Sequence, residues 1–94
     1  MTVPDGVLDR AWELDPRVSI RPESFGALLY HFGTRRLSFL KDRRLLDVVQ
    51  RLPAATSARE ACLAAGLADS DLATYGRALS TLAATDMIVE RMPA

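Results

Sequence analysis

Alternation of apolar and polar positions runs through residues 17–41 and predicts strands. Val18 and Ile20 alternate with Ser19 and Arg21 before Pro22 breaks the run. Leu28, Tyr30 and Phe32 alternate with Leu29 and His31, and Leu37 and Phe39 with Ser38 and Leu40. A period of two built from β-branched and aromatic residues is the strand pattern. Gly33-Thr34 fits a tight hairpin whose first turn position takes a positive φ, while Glu23-Ser24-Phe25-Gly26 is a looser link. The simplest assembly is a three-stranded antiparallel β-meander. Its face of Leu28, Tyr30, Phe32, Leu37 and Phe39 is apolar and needs a cover. His31, on the other face, is expected toward solvent or a neighbouring chain. Three strands alone are marginal in water, so helices must pack on them.

The period lengthens after Lys41. Leu45, Val48, Val49 and Leu52 share one face of a helix that Pro53 ends. Ser57-Ala58-Arg59-Glu60 reads as a capping box, followed by Ala61, Cys62, Ala64 and Ala65, with Gly66 suited to the C′ position. Asp69 or Ser70 opens the longest helix, with Asp71 in its first turn. Leu72, Tyr75, Leu79, Leu82 and Ala83 form its stripe, and Thr85-Asp86 closes it. Gly76 inside this helix suggests that another backbone comes close. Met87–Met92 fits a short strand or a docked tail. Residues 1–16 show no sustained period and read as an arm that pins itself through Trp12, leaving 17–94 as the domain. The fold class is α+β: the meander, then three helices, in a winged-helix-like layout.

Composition narrows the chemistry. Ninety-four residues are 49% apolar and 26% charged, ordinary for a folded domain. Twelve basic and twelve acidic residues cancel, which argues against binding nucleic acid through bulk charge. No apolar run approaches the ~20 residues of a membrane span, and the N-terminus lacks the marks of a signal peptide. One cysteine, Cys62, and one histidine, His31, leave no disulfide and no cysteine or histidine metal cluster within the chain. Cys62 reads as a small hydrophobe, a reducing cytoplasm is the natural compartment, and no cofactor is expected. A chain this small offers little room for a catalytic pocket, so an enzyme ranks last.

One charge feature is local. Arg35, Arg36, Lys41, Arg43 and Arg44 bracket the third strand against a single acid, Asp42. Such charge discourages edge-to-edge aggregation. It would equally draw an acidic ligand to the strand edge. In a meander that strand is an edge, and an extended peptide could add to it and drop apolar side chains against the last helix. Most of the helical stripe is expected in the core, with Tyr75 the best candidate to line the groove.

The string Phe25-Gly26-Ala27-Leu28-Leu29-Tyr30-His31-Phe32-Gly33-Thr34-Arg35-Arg36-Leu37-Ser38-Phe39-Leu40 resembles the peptide-binding chaperone family of mycofactocin biosynthesis. Arg17–Glu23 before it and Leu45-Leu46-Asp47-Val48-Val49 after it are similar too, and the resemblance spans about residues 12–90. It implies a stand-alone recognition element like the peptide chaperone of pyrroloquinoline-quinone biosynthesis. Such an element binds the leader of a ribosomally made precursor peptide and presents it to a radical S-adenosylmethionine maturase. The resemblance places the leader against the third strand and the third helix, about Ser70–Thr85. With the edge argument, this nominates Arg35, Arg36, Leu37, Ser38, Phe39, Leu40, Tyr75, Ala78, Leu79 and Leu82 as peptide-binding residues. The alternative is a winged-helix DNA-binding module, weakened because the last helix carries only Arg77 beside Asp69, Asp71 and Asp86. A homodimer through the edge strand or the tail is a third arrangement and is compatible with peptide binding.

Overall fold

The computed structural model describes residues 6–91 and is α+β. In chain order it contains β1 (Trp12–Leu14), β2 (Val18–Glu23), β3 (Gly26–His31), β4 (Leu37–Leu40), α1 (Arg43–Arg51), α2 (Ala58–Ala64), α3 (Leu72–Ala84) and β5 (Ile88–Glu90). Strands β2, β3 and β4 form the expected antiparallel meander. β1 and β5 form a second, two-stranded antiparallel sheet, with Trp12 opposite Glu90 and Leu14 opposite Ile88. The Ile88–Glu90 strand settles the tail as far as Arg91; Met92 lies outside the described residues, as do residues 1–5 of the arm.

The stretch before β1 is held by backbone bonds. The amides of Ala58 and Arg59, at the start of α2, donate to the carbonyls of Arg10 and Leu8. Helix-start amides have no partner within the helix, so this stretch completes the cap that Ser57 begins by accepting from the Glu60 amide. Glu60 does not reciprocate on Ser57; its carboxylate takes the Thr56 hydroxyl instead. Trp12 is buried and its indole N–H donates to the Val7 carbonyl at 2.8 Å. The space above Gly76 is taken by the Leu8 side chain, where an added Cβ would lie 3.3 Å from Cγ. A side chain, then, and not a second backbone, occupies that gap.

The C-termini of α2 and α3 end as the residue types direct. Leu67 N–H donates to Cys62 O and Gly66 N–H to Leu63 O, the paired bonds of a Schellman motif. Met87 and Asp86 repeat the pattern onto Leu82 and Ala83 after α3, with Asp86 at φ +63°.

The buried sheet face is the reverse of the one expected. Ala27, Leu29 and Leu40 join Leu45, Val48 and Val49 of α1 and Leu79 of α3 in one core, and His31 is buried on the same sheet face. Leu37, Phe39 and Phe32 face outward and are exposed. Side-chain size favours the wrong face, because β3 is apolar on both. Two local features decide it. Ala27 is small enough to let α1 approach, and His31 carries its own hydrogen bonds inside. Its Nδ1 accepts from the amides of Gly33 and Thr34, both at 3.0 Å, and its Nε2 faces the Asp15 carboxylate at 3.6 Å. His31 is therefore fully buried rather than solvent-facing. The turn it caps also differs from expectation. Arg35, at φ +63°, takes the left-handed position, and Gly33 is required because a Cβ there would meet the His31 ring at 2.8 Å.

Asp15 anchors the start of β2. Its carboxylate accepts from the Arg17 amide at 2.8 Å and from the Arg17 guanidinium at 3.0 Å through two nitrogens. The hydrogen bonds from Arg17 hold the Asp15 carboxyl down at about 2, below its ordinary 3.8. A carboxylate with a depressed folded-state pKa adds stability above its unfolded value and loses it as pH falls through the folded one. Asp15→Asn is therefore expected to flatten acid unfolding between 3.8 and about 2, followed by circular dichroism against pH. An unchanged acid limb would show that Asp15 is not responsible.

Candidate functional site

The meander ends at β4, and its outer edge pairs with no other strand among the described residues. The phase of its hydrogen bonds follows from the turn. His31 N–H donates to Arg36 O at 2.9 Å, so Leu29 with Ser38 and Ala27 with Leu40 are the bonded pairs of β3 and β4. Leu37 and Phe39 occupy the alternate positions, and their N–H and C=O groups point away from the sheet. The β2 edge is less free, because the Val18 N–H already donates to the Asp15 carbonyl at 2.9 Å. There the outward positions are Val18, Ile20 and Pro22, since Phe32 N–H donates to Arg17 O and sets the phase. Pro22 has no N–H, which blunts that edge.

Beside the β4 edge runs a trough of two adjoining cavities, about 320 and 310 Å³ in volume. The first is lined by Leu37, Ser38, Phe39 and Leu40 of β4, Leu45 of α1, and Ala78, Thr81 and Leu82 of α3. The second continues past Phe39 and Ala78 to Lys41, Asp42, Thr74 and Tyr75. The trough exists because α3 presents small residues, Ala78 and Thr81, to the strand across from it. Larger side chains there would close it. Leu82 and Leu45 are buried and give it an apolar floor.

Tyr75 and Asp42 form the trough's polar end. The Tyr75 hydroxyl donates to Asp42 Oδ2, while Asp42 Oδ1 accepts the Arg44 amide at 2.8 Å and so caps α1. Donation to the Asp42 carboxylate pushes the Tyr75 phenol up to about 12, so it remains a donor at all ordinary pH. One carboxylate thus ties the strand-to-helix corner to α3. Tyr75→Phe should cost about 1 kcal/mol, the worth of one hydrogen bond. Asp42→Ala removes the helix cap as well and should cost about 1–2 kcal/mol. Urea unfolding of the two variants reads the order; an Asp42→Ala cost below that of Tyr75→Phe contradicts it.

The nominated residues fall into three groups. Leu37, Ser38, Phe39, Leu40, Tyr75, Ala78 and Leu82 line the trough. Leu79 is fully buried in the core. Arg35 and Arg36 stand exposed at the β3–β4 turn, off the trough lining. Among the described residues Arg35, Arg36, Lys41 and Arg77 form no ion pair. Sequence reasoning missed Leu45, Thr74, Thr81 and Asp42. Leu45 belongs to an apolar helix face whose pattern does not separate core from trough, and an Asp just before a helix is a cap signal. Thr74, Ala78 and Thr81 recur at helical spacing but are small or polar, so a search for apolar stripes passes over them.

The described residues contain no cluster of metal-ligating side chains and no helix long and apolar enough to cross a membrane. Cys62 is buried, and burial pushes its thiol up, away from the reactive thiolate.

Residues 11–89 match the model of the peptide chaperone MftB family. The chain belongs to that family. Peptide chaperone MftB of Mycobacterium tuberculosis is 57% identical over 83 residues, which is 88% of this chain and 76% of the relative. The Mycobacterium ulcerans protein of the same name is 57% identical over 86% of this chain and 74% of its own length. That of Mycolicibacterium smegmatis is 51% identical over 90% and 83%. No solved structure matches the chain. The family name describes a non-catalytic role. The matched span begins just before β1 and ends within β5, so it takes in the meander, the trough and all three helices.

Proposed function

We propose that this chain is a non-catalytic peptide chaperone of mycofactocin biosynthesis. It binds the leader of a ribosomally synthesised precursor peptide as a fourth strand along β4 and presents it, in the cytoplasm, to a radical S-adenosylmethionine maturase. The reading is supported above all by an open β4 edge running beside an apolar trough. Main-chain groups of Leu37 and Phe39 supply affinity that is blind to sequence, each bond worth about 1 kcal/mol net. The trough supplies selectivity, because alternate side chains of an added strand point into it. The cations Arg35, Arg36, Lys41 and Arg77, without an ion pair among the described residues, favour a leader with carboxylates flanking its apolar residues. Holding the leader in this way would raise the concentration of the precursor at the enzyme.

Titration of the precursor leader by calorimetry, with amide shifts mapped on the chain, tests the proposal. Saturable binding with the largest shifts at Leu37 and Phe39 is expected. Absence of heat, or shifts confined to another face, defeats it.

A further inference from the structure

The outer face of β3 and β4 is apolar, and nothing among the described residues covers it. Phe25, Phe32, Leu37 and Phe39 are 45%, 64%, 54% and 59% exposed, and Leu63 is the only other large exposed hydrophobe among the described residues. The register aligns Tyr30 with Leu37 and Leu28 with Phe39 across this face. Phe25 packs on Phe39 with ring centroids 6.3 Å apart, and Tyr30 meets Phe32 edge-on at 4.8 Å. Two aromatic pairs are thus joined into one continuous surface across β3, β4 and their adjoining turns, bordered on β2 by the polar Ser19, Arg21 and Glu23. Contiguous apolar surface of this kind on a small soluble domain marks an interaction site.

A guest strand at the β4 edge does not account for it. Strands lie about 4.8 Å apart, so the guest reaches Leu37 and Phe39 and leaves Tyr30, Phe32 and Leu28 uncovered. The occupant must be a broader surface. Its charge follows from the rim, where Arg21, Arg35, Arg36 and Lys41 are exposed. The acid alongside, Glu23, is already held by Arg21 at 2.9 Å. A second copy would set this cationic rim against itself.

We propose that the outer face of β2–β4 is the surface that meets the maturase, through an apolar patch on that enzyme fringed by carboxylates. The inference rests on the function proposed above. It makes the chain two-faced: α3 and the trough receive the peptide on one side of β4, and the enzyme docks on the other. Leu37 and Phe39 belong to both, offering backbone to the guest and side chains to the enzyme, so the leader is held at the margin of the enzyme contact.

The test measures binding of the purified maturase and of the leader peptide, separately, to the full chain and to a Phe25→Ser/Phe32→Ser variant. Neither phenylalanine lines the trough. The variant is expected to weaken the maturase by about tenfold or more, as loss of exposed aromatic anchors does, and to leave peptide affinity within about twofold. Arg21→Glu, which reverses the rim charge, should weaken the maturase in the same direction and carries the test if the double variant melts. Unchanged maturase binding by both variants overturns the proposal while leaving the chaperone reading intact. Failure of the wild-type chain to bind maturase overturns it together with the delivery step, and the peptide titration then stands alone. The proposal also falls if the wild type sediments as a dimer that the double variant dissociates. Retention by phosphatidylglycerol vesicles that the variant abolishes has the same consequence.

Discussion

Leu37→Pro is expected to weaken leader binding by about tenfold or more while the fold survives. Leu37 occupies a position of β4 whose N–H points away from β3, so proline there removes no ladder bond. It is also the first residue of the strand, where proline is tolerated. What it removes is an outward donor, and it adds a ring where the guest backbone would lie. Ser38→Pro is the matched control. Its N–H faces Leu29, so proline there breaks the sheet and should lower stability before any peptide is added. Calorimetry with the leader and a thermal melt of each variant separate the two effects. If Leu37→Pro binds like the wild type, strand addition at this edge is wrong.

Gly26→Ala should be the most damaging single substitution in the sheet, costing about 3 kcal/mol or more. Gly26 opens β3 at φ +151°, a region that side chains rarely enter. An added Cβ would lie 2.0 Å from the Leu40 carbonyl oxygen and 2.9 Å from the Asp42 amide nitrogen. These are backbone atoms and cannot swing aside. Relief requires the end of β4 to move off β3, which shifts the trough wall and the corner where Asp42 caps α1 and holds Tyr75. Urea unfolding should show a lower midpoint with little change in slope. Leader affinity of the folded fraction should fall as well. A variant as stable as the wild type would mean that the β3–β4 register tolerates the displacement.

Both predictions depend on features of different legibility. The open edge could be read from the chain, because strand periodicity and short links make a meander, and a meander has two ends. Gly26 could be read only as part of a loose link, since its clash is with Leu40 and Asp42, residues distant in sequence. The same division explains His31. Alternation placed it opposite Tyr30 and Phe32, and the structure agrees with that alternation. Which face is buried was a separate matter, and larger side chains pointed to the wrong one. The answer lay in local contacts: the turn amides of Gly33 and Thr34 satisfy the imidazole Nδ1, Nε2 faces the Asp15 carboxylate without a hydrogen bond, and small Ala27 lets α1 sit close. The inversion leaves Phe32, Leu37 and Phe39 exposed.

The amino-acid sequence by itself determined the kinds and order of the main elements, from the strands of the meander to the three helices and their C-terminal stops; α3 starts at Leu72, after a 3-10 turn over Asp69–Asp71, with no cap from Asp69 or Ser70. The kinds and order follow from periods of two and 3.6 and from capping residues, interactions that span a few positions. It also carried the family resemblance, in the string from Phe25 to Leu40. Only the tertiary structure decided which sheet face is buried, that Trp12–Leu14 pairs with Ile88–Glu90, and that Leu79 belongs to the core while Thr81 and Leu45 line the trough. Those outcomes depend on side chains brought together from opposite ends of the chain. For a strand apolar on both sides, local pattern is degenerate, and packing volume and buried hydrogen bonds break the tie.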